Sequence, residues 1–326
     1  MKIATAASVE NDTRLAIEEC WTALMSQLDG LPSLVLAYFT ETHHIQTIVD
    51  SLGRRVPPTA VQGSTSCLGV MSGQGMHSES GVGLGLWAIQ DPEGDYGVGA
   101  ASLGTDPRAA SIQAMEQALD RAGRPGEVPA LVWVNAAPGS EELVLEGIAD
   151  VVGPDVPVAG GSSGDNEVAG NWSQIAAGVT YTDAVTVSVF YPSTDISLAF
   201  HSGYEPTERS GTVTRADGRV LEEIDGQPAA EVYNRWIGGG VEEALDGGGN
   251  VLALTTLNPL GREVGRLGAV PYYKLSHPDS VTATGGLSLF SDIGEGEKVT
   301  LMVGSRSTLI DRAGRVAESS MKAGDR

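Results

Sequence analysis

Pro32–Phe39 reads PSLVLAYF and Pro129–Ala136 reads PALVWVNA, 97 residues further on. The same spacing separates VQGSTSC, whose glycine is Gly63, from VAGGSSG, whose first glycine is Gly160. Upstream, Ala6–Ala16 (AASVENDTRLA) matches Ala100–Ala110 (AASLGTDPRAA) at an offset of 94 residues. A period this long exceeds the roughly 20–50 residues of a solenoid module. It predicts a duplicated half-domain, and the positions that recur in both halves become the first candidates for a site.

Each copy reads as strand, helix, strand, helix, strand, a long loop, and one or two further strands. In the first copy, Ile3–Ser8 is a strand and Asp12–Leu28 a helix. Ile17, Cys20, Trp21, Leu24 and Leu28 fall on one face of that helix. Leu34–Phe39 is a near-continuous apolar run, as expected of a strand buried on both faces. In the second copy, Asp106-Pro107 caps and opens a helix, Leu131–Val134 is the buried strand and Glu141–Val151 the second helix. Alternating strands and helices predict an α/β domain over residues 1–195, with repeats at about 1–95 and 96–195. Its halves are expected side by side or as one continuous sheet.

Beyond Pro192 the pattern changes. Residues 196–326 predict an α+β, mostly antiparallel domain. It has a hairpin through Ala216-Asp217-Gly218, a helix from Pro228, strands at Val251–Thr255, Tyr272–Leu275, Leu287–Phe290 and Val299–Val303, and a last helix over Ser307–Lys322.

The 326 residues carry a net charge of −22, which repels phosphate backbones and anionic membranes and predicts neither as a partner. No apolar run nears the roughly 18 residues of a membrane span. The N-terminus lacks the apolar core of a signal peptide, so a cytoplasmic protein is expected. Two cysteines make neither a disulfide framework nor a metal knuckle, and no metal or cofactor motif is present.

The paired loops, Gly63-Ser64-Thr65-Ser66-Cys67 and Gly160-Gly161-Ser162-Ser163 with Asp165 and Asn166, each leave a strand end. That is where α/β sheets bind ligands. Their hydroxyls and amide suit a small polar molecule; the competing reading is tight turns bonding their own backbone. Arg14 and Arg108 recur in helical first turns, where a cation opposes the helix dipole. They suit a carboxylate clamp, or else an ion pair with a neighbouring acid. Cys67 lies inside the first loop near His43, His44 and His77, which leaves open an enzyme using Cys67 or a loop serine. The second copy has Gly164 at that place, which favours an unreactive thiol. Asp165 fits a loop-capping role equally well. His201 and His277 are isolated.

The succession SLVLAYF, VQGSTSCLGVM, PVAGGSSGDN, GTVTRADGRVLEEIDGQPAAEVYNRWIG, NPLG at Asn258–Gly261 and GLSLFSDIGEGEKVTLM resembles the FIST N and FIST C domains of bacterial signal-transduction proteins. The resemblance implies a sensory module for a small ligand such as an amino acid, with a separate signalling protein as output partner. It also implies an alternative, a haem-binding nitric oxide sensor, though none of the five histidines is singled out as a ligand. The family's second domain runs on beyond the point reached by Arg326, so a truncated form is a further expectation.

Overall fold

The computed structural model describes residues 1–199, 202–267 and 270–324, and divides into two compact units, Met1–Ile196 and Ser197–Arg326. It is mixed α/β, with eight helices among the described residues.

The first unit opens with β1 (Lys2–Ser8), α1 (Thr13–Met25), β2 (Leu34–Phe39), α2 (Ile45–Gly53) and β3 (Val61–Thr65). A hairpin, β4 (Val70–Ser72) and β5 (Gly75–His77), leads to β6 (Leu84–Gln90). The chain continues through β7 (Asp95–Ser102), α3 (Pro107–Arg121), β8 (Leu131–Ala136), α4 (Glu141–Val152) and β9 (Val158–Ser162). A second hairpin, β10 (Gln174–Ala176) and β11 (Val179–Tyr181), precedes β12 (Ala184–Tyr191). Asp12 caps α1 through Arg14 N and Leu15 N, and Asp106 caps α3 through Ala109 N, with Pro107 opening that helix.

Two sheets form. One is ordered β1-β6-β2-β3-β10-β11 and the other β7-β12-β8-β9. Their first four strands follow the same plan: β2 and β3 are parallel, as are β8 and β9, and an antiparallel strand separates each pair from the N-terminal strand. The hairpin of the second half is out of place. β10 pairs with β3, setting Ile175 against Gly63, so the second half completes the first half's sheet. The outer edge of β9 has no such cover and the strand is exposed.

The sheets are neither side by side nor continuous; they stack face to face. Alternation along β2 shows why. Val35, Ala37 and Phe39 join Ile17, Leu24 and Ile48 in one core under α1 and α2, while Leu34 and Leu36 join Leu131, Phe190 and Val98 in a second. The other sheet sends Val132, Val134 and Val187 outward to Met115 and Ile148 of α3 and α4. The order of layers is helices, sheet, sheet, helices. Both helical layers are apolar on one face only, so each must cover its own sheet, and that leaves the two remaining sheet faces for each other. Helix α3 rides so close to β7 that a Cβ on Gly99 would sit 1.9 Å from the Ala114 carbonyl.

The second unit is a nine-stranded antiparallel sheet built on the strands Glu205–Asp217, Val220–Ile224, Leu260–Leu267, Val270–Ser276 and Lys298–Val303. The helix Ala229–Trp236 covers it through the fully buried Tyr233, whose hydroxyl donates to the Asn258 carbonyl at 2.7 Å. Val251–Thr255, expected as a strand, is instead a short helix over Leu252–Thr255. Asn250 Oδ1 accepts from Leu252 N at 3.2 Å, and Leu254 N and Thr255 N both turn back to the Val251 carbonyl. A local cap outweighs the β preference of so short a run.

Candidate functional site

The paired Gly/Ser segments begin as strand rather than loop: Gly63-Ser64-Thr65 belong to β3 and Gly160-Gly161-Ser162 to β9. Their first glycines have a structural reason. Parallel pairing sets Gly63 beside Ala37 and Gly160 beside Val134. A Cβ would stand 2.5 Å from the Ala37 carbonyl oxygen in one case and 1.8 Å from that of Val134 in the other. Both glycines admit a neighbouring strand. At Gly161 a Cβ would meet nothing within 4 Å.

The two segments do meet. Ser64 Oγ donates to Ser163 Oγ at 2.8 Å, which also accepts from Gln174 Nε2 at 2.8 Å, all three side chains being buried. Gly164 N donates to the Thr65 carbonyl, and Thr65 Oγ1 accepts from Ser173 N. Ser66 Oγ donates to the Gly69 carbonyl. Asn166 ties three loops together: its Oδ1 accepts from Leu68 N at 2.6 Å, its Nδ2 donates to the Gly81 carbonyl, and its backbone N donates to Glu41 Oε1. Asp165 is a loop cap, accepting from the backbone N of Glu167, Ala169, Gly170 and Asn171. Burial alone would raise its carboxyl, but these four donors hold it below the usual carboxylate range.

The arginines are not brought to this cluster. Arg108 grips Asp150 bidentately at 2.6 and 2.9 Å and reaches Glu146 at 3.3 Å, so its guanidinium faces α4. Arg14 is exposed at the start of α1.

The histidines separate as well. His44 caps α2 through Thr47 N. His43 is buried, with Nδ1 on Thr13 Oγ1 at 3.2 Å and no partner for Nε2, and burial pushes its pKa down. His77 Nε2 pairs with Ser72 Oγ and His277 with the Thr256 carbonyl, while His201 lies outside the described residues. Cys67 is exposed, yet partial burial and then the charges of Glu41 and Asp165 push its thiol up, which disfavours the thiolate a nucleophile needs. Cys20 is buried, its thiol pushed up to about 12, first by burial and then by Glu19. Among the described residues no group of three His, Cys, Asp or Glu side chains is placed to hold a metal ion, and no helix is long and apolar enough to cross a membrane.

A mostly apolar opening lies away from most of the candidate residues. A cavity of about 460 Å³ lies between the sheets, walled by Leu36, Tyr38, Trp87, Trp133 and Phe190, with Asp195 among its lining. A second, of about 410 Å³, is lined by Ser66, Cys67, Gly69, Met71 and Met76. The two share Tyr38, Met71 and Trp87 in their walls and so lie side by side as two lobes of a cleft. At its floor Trp133 Nε1 donates to Tyr38 Oη at 2.6 Å, and Tyr38 donates to Asn135 Oδ1 at 3.2 Å. Behind these, buried Gln62 donates to the Thr186 carbonyl and Oγ1 at 3.0 Å and accepts from Ser188. Of the sequence candidates only Ser66 and Cys67 line this cleft. Gly160, Gly161 and Ser162 line a separate pocket of about 230 Å³ beside β9, where Ser162 Oγ donates to Glu141 at 2.6 Å. No described histidine lines the cleft, so the residues present do not fit a histidine-held haem there.

An uncharacterized protein of Methanocaldococcus jannaschii is 34% identical over 88 residues, which make up 26% of this chain and 17% of that relative's length. Among solved structures, a cyanuric acid hydrolase from A. caulinodans covers 93% of this chain and all of its own, at 10% identity and a TM-score of 0.33. A second cyanuric acid hydrolase covers 83% of this chain and 84% of its own, at 11% identity and a TM-score of 0.32. Likenesses this loose carry no function across. Residues 33–227 match the FIST N domain and residues 229–324 the FIST C domain, and the chain therefore belongs to the FIST family, whose domains are associated with sensory signal transduction.

Proposed function

We propose that this chain is a sensory protein whose small-molecule ligand seats in the inter-sheet cleft, one end among Tyr38, Trp87 and Trp133 and the other near Ser66 and Cys67. The observation that carries this reading is the adjacency of the two cavities, which share Tyr38, Met71 and Trp87 as walls. A largely apolar concavity with a few convergent polar groups is the usual form of a ligand site. Aromatic rings, thioethers and hydroxyls line it, Asp195 is its acid, and no basic side chain does so among the described residues. That lining favours an apolar-bodied ligand, neutral or bearing an ammonium group, such as a hydrophobic amino-acid derivative with its carboxylate masked. A free carboxylate meets no basic side chain there.

In this reading the paired Gly/Ser segments are the frame of the cleft rather than its contact surface, and the two halves descend from one duplicated unit. A cytoplasmic setting and a separate signalling partner complete it, since an inter-sheet ligand acts by shifting how the sheets pack and another protein must read that shift.

A thermal-shift screen of aromatic amines, amino-acid esters and free amino acids tests the proposal. A ligand at 100 times its Kd stabilises the fold by about 2.7 kcal/mol. Hits should quench tryptophan fluorescence and weaken in Trp87→Leu. Hits indifferent to Trp87→Leu place the site elsewhere.

A further inference from the structure

Cys67, Met71 and Met76 lie within ten residues of one another, and all three line the same 410 Å³ lobe of the cleft. The hairpin makes them converge. Met71 of β4 and Met76 of β5 are directly paired in antiparallel register. The Met76 methyl reaches back over the backbone at Gly69, where an added Cβ would stand 2.8 Å from Met76 Cε, two residues from Cys67. Both thioethers are held open to solvent, Met71 at 78% and Met76 at 57% relative exposure. Apolar packing does not account for side chains so far out of the core.

The surroundings favour a cation. Glu41 Oε1 is engaged by Asn166 N, but Glu41 Oε2 is buried without a partner. Glu41 and Asp165 both act on Cys67 through their charge. Negative charge so placed stabilises a positive ion beside the sulfur. Thiolate and thioether sulfur select soft metals, Cu(I) foremost among them.

We propose that Cys67, Met71 and Met76 form a binding site for one soft monovalent metal ion of the Cu(I) class. The thiol proton leaves to solvent as the Cys67 Sγ–metal bond forms, and the two thioethers complete a sulfur set. The ion is taken up and held as Cu(I), so no electron changes hands. Glu41 balances its charge from behind the loop. The site shares Cys67 and Met71 with the lobe proposed above for one end of the organic ligand, and it is tested by a separate readout.

Anaerobic titration of the full chain with Cu(I) competed by a chromogenic chelator, repeated with Ag(I) as a redox-inert probe, tests the site. One equivalent is expected, with affinity falling about 100-fold in Cys67→Ser and about 10-fold or more in the double variant Met71→Leu/Met76→Leu. Leucine keeps the apolar volume and removes only sulfur. Equal affinity of the double variant and the parent marks a lone thiol adduct and overturns the proposal, as does a parent that takes no Cu(I) from the chelator. A protein that binds Cu(I) but none of the screened organics leaves this site standing and overturns the ligand reading alone.

Discussion

Tyr38 and Asn135 are hydrogen-bonded at 3.2 Å across the two sheets, and each is the fifth residue of its strand. They are also 97 residues apart, the spacing that relates the two halves. The pair lies at the polar floor of the cleft, a phenol from one sheet and an amide from the other.

Tyr38→Phe removes the acceptor for Trp133 Nε1 and the donor to Asn135 Oδ1. An unpaired buried group costs about 1–3 kcal/mol. Urea denaturation should show a loss in that range with an unchanged slope, and a loss near zero would mean that water takes over both partners.

Gly63→Ala and Gly160→Ala each drive a methyl into a neighbouring carbonyl, at 2.5 and 1.8 Å, and Gly160 has in addition a φ of +139°. Each should cost about 3 kcal/mol or more or prevent folding, with Gly160→Ala the worse. Gly161→Ala meets open space and should stay within about 1 kcal/mol. A Gly161→Ala as damaging as Gly160→Ala, read by circular dichroism melting, would contradict the packing explanation of this pair.

His43 is held neutral by burial, its folded-state pKa below the ordinary 6.5. The unfolded chain therefore binds the proton first. Stability is full above 6.5 and declines as the pH falls below it toward the folded-state value. Asp165, also lowered, contributes in a separate window: its share is present above the ordinary 3.8 and is lost below that pH. Melting temperature against pH should fall in two acid stages; burial lowers His277 as well, so His43→Gln should shrink the stage that begins near 6.5 without abolishing it, and should leave the other unchanged.

Cys67 is exposed yet has a raised pKa, so alkylation at neutral pH should run slower than for a free thiol and speed up as pH rises. Glu41→Gln should quicken it. Cys20, buried and pushed up to about 12, should react only on unfolding. Rapid, pH-insensitive labelling of Cys67 would revive the thiol-enzyme reading.

The elements of the first unit were legible because their signals are local: Asp12 and Asp106 as caps, Pro107 at a helix start, the apolar runs at Leu34 and Leu131. How the sheets stack was not. Leu34-Leu36-Tyr38 and Val35-Ala37-Phe39 are both apolar sets, and nothing in the run says that one faces helices and the other a second sheet. The glycine pair was visible for the right spacing and the wrong cause. Recurrence in both halves marks whatever both need, and both need β2–β3 style packing. The cleft escaped notice because Trp87, Trp133, Met71 and Met76 come from separate strands and recur in neither copy. A recurring spacing exposes shared strand packing, whereas the cleft is walled by residues that do not recur.

The loan of β10–β11 to the first half's sheet also sets an order of events during synthesis. Strand β3 is complete at Thr65, but its outer partner β10 ends at Ala176. At about 5–20 residues per second a ribosome needs roughly 6 to 22 s to cover that interval. The nascent first half waits through it with a bare strand edge, a template for misplaced pairing. Its protection arrives only with the end of the second half, so neither half emerges from the ribosome as a finished unit.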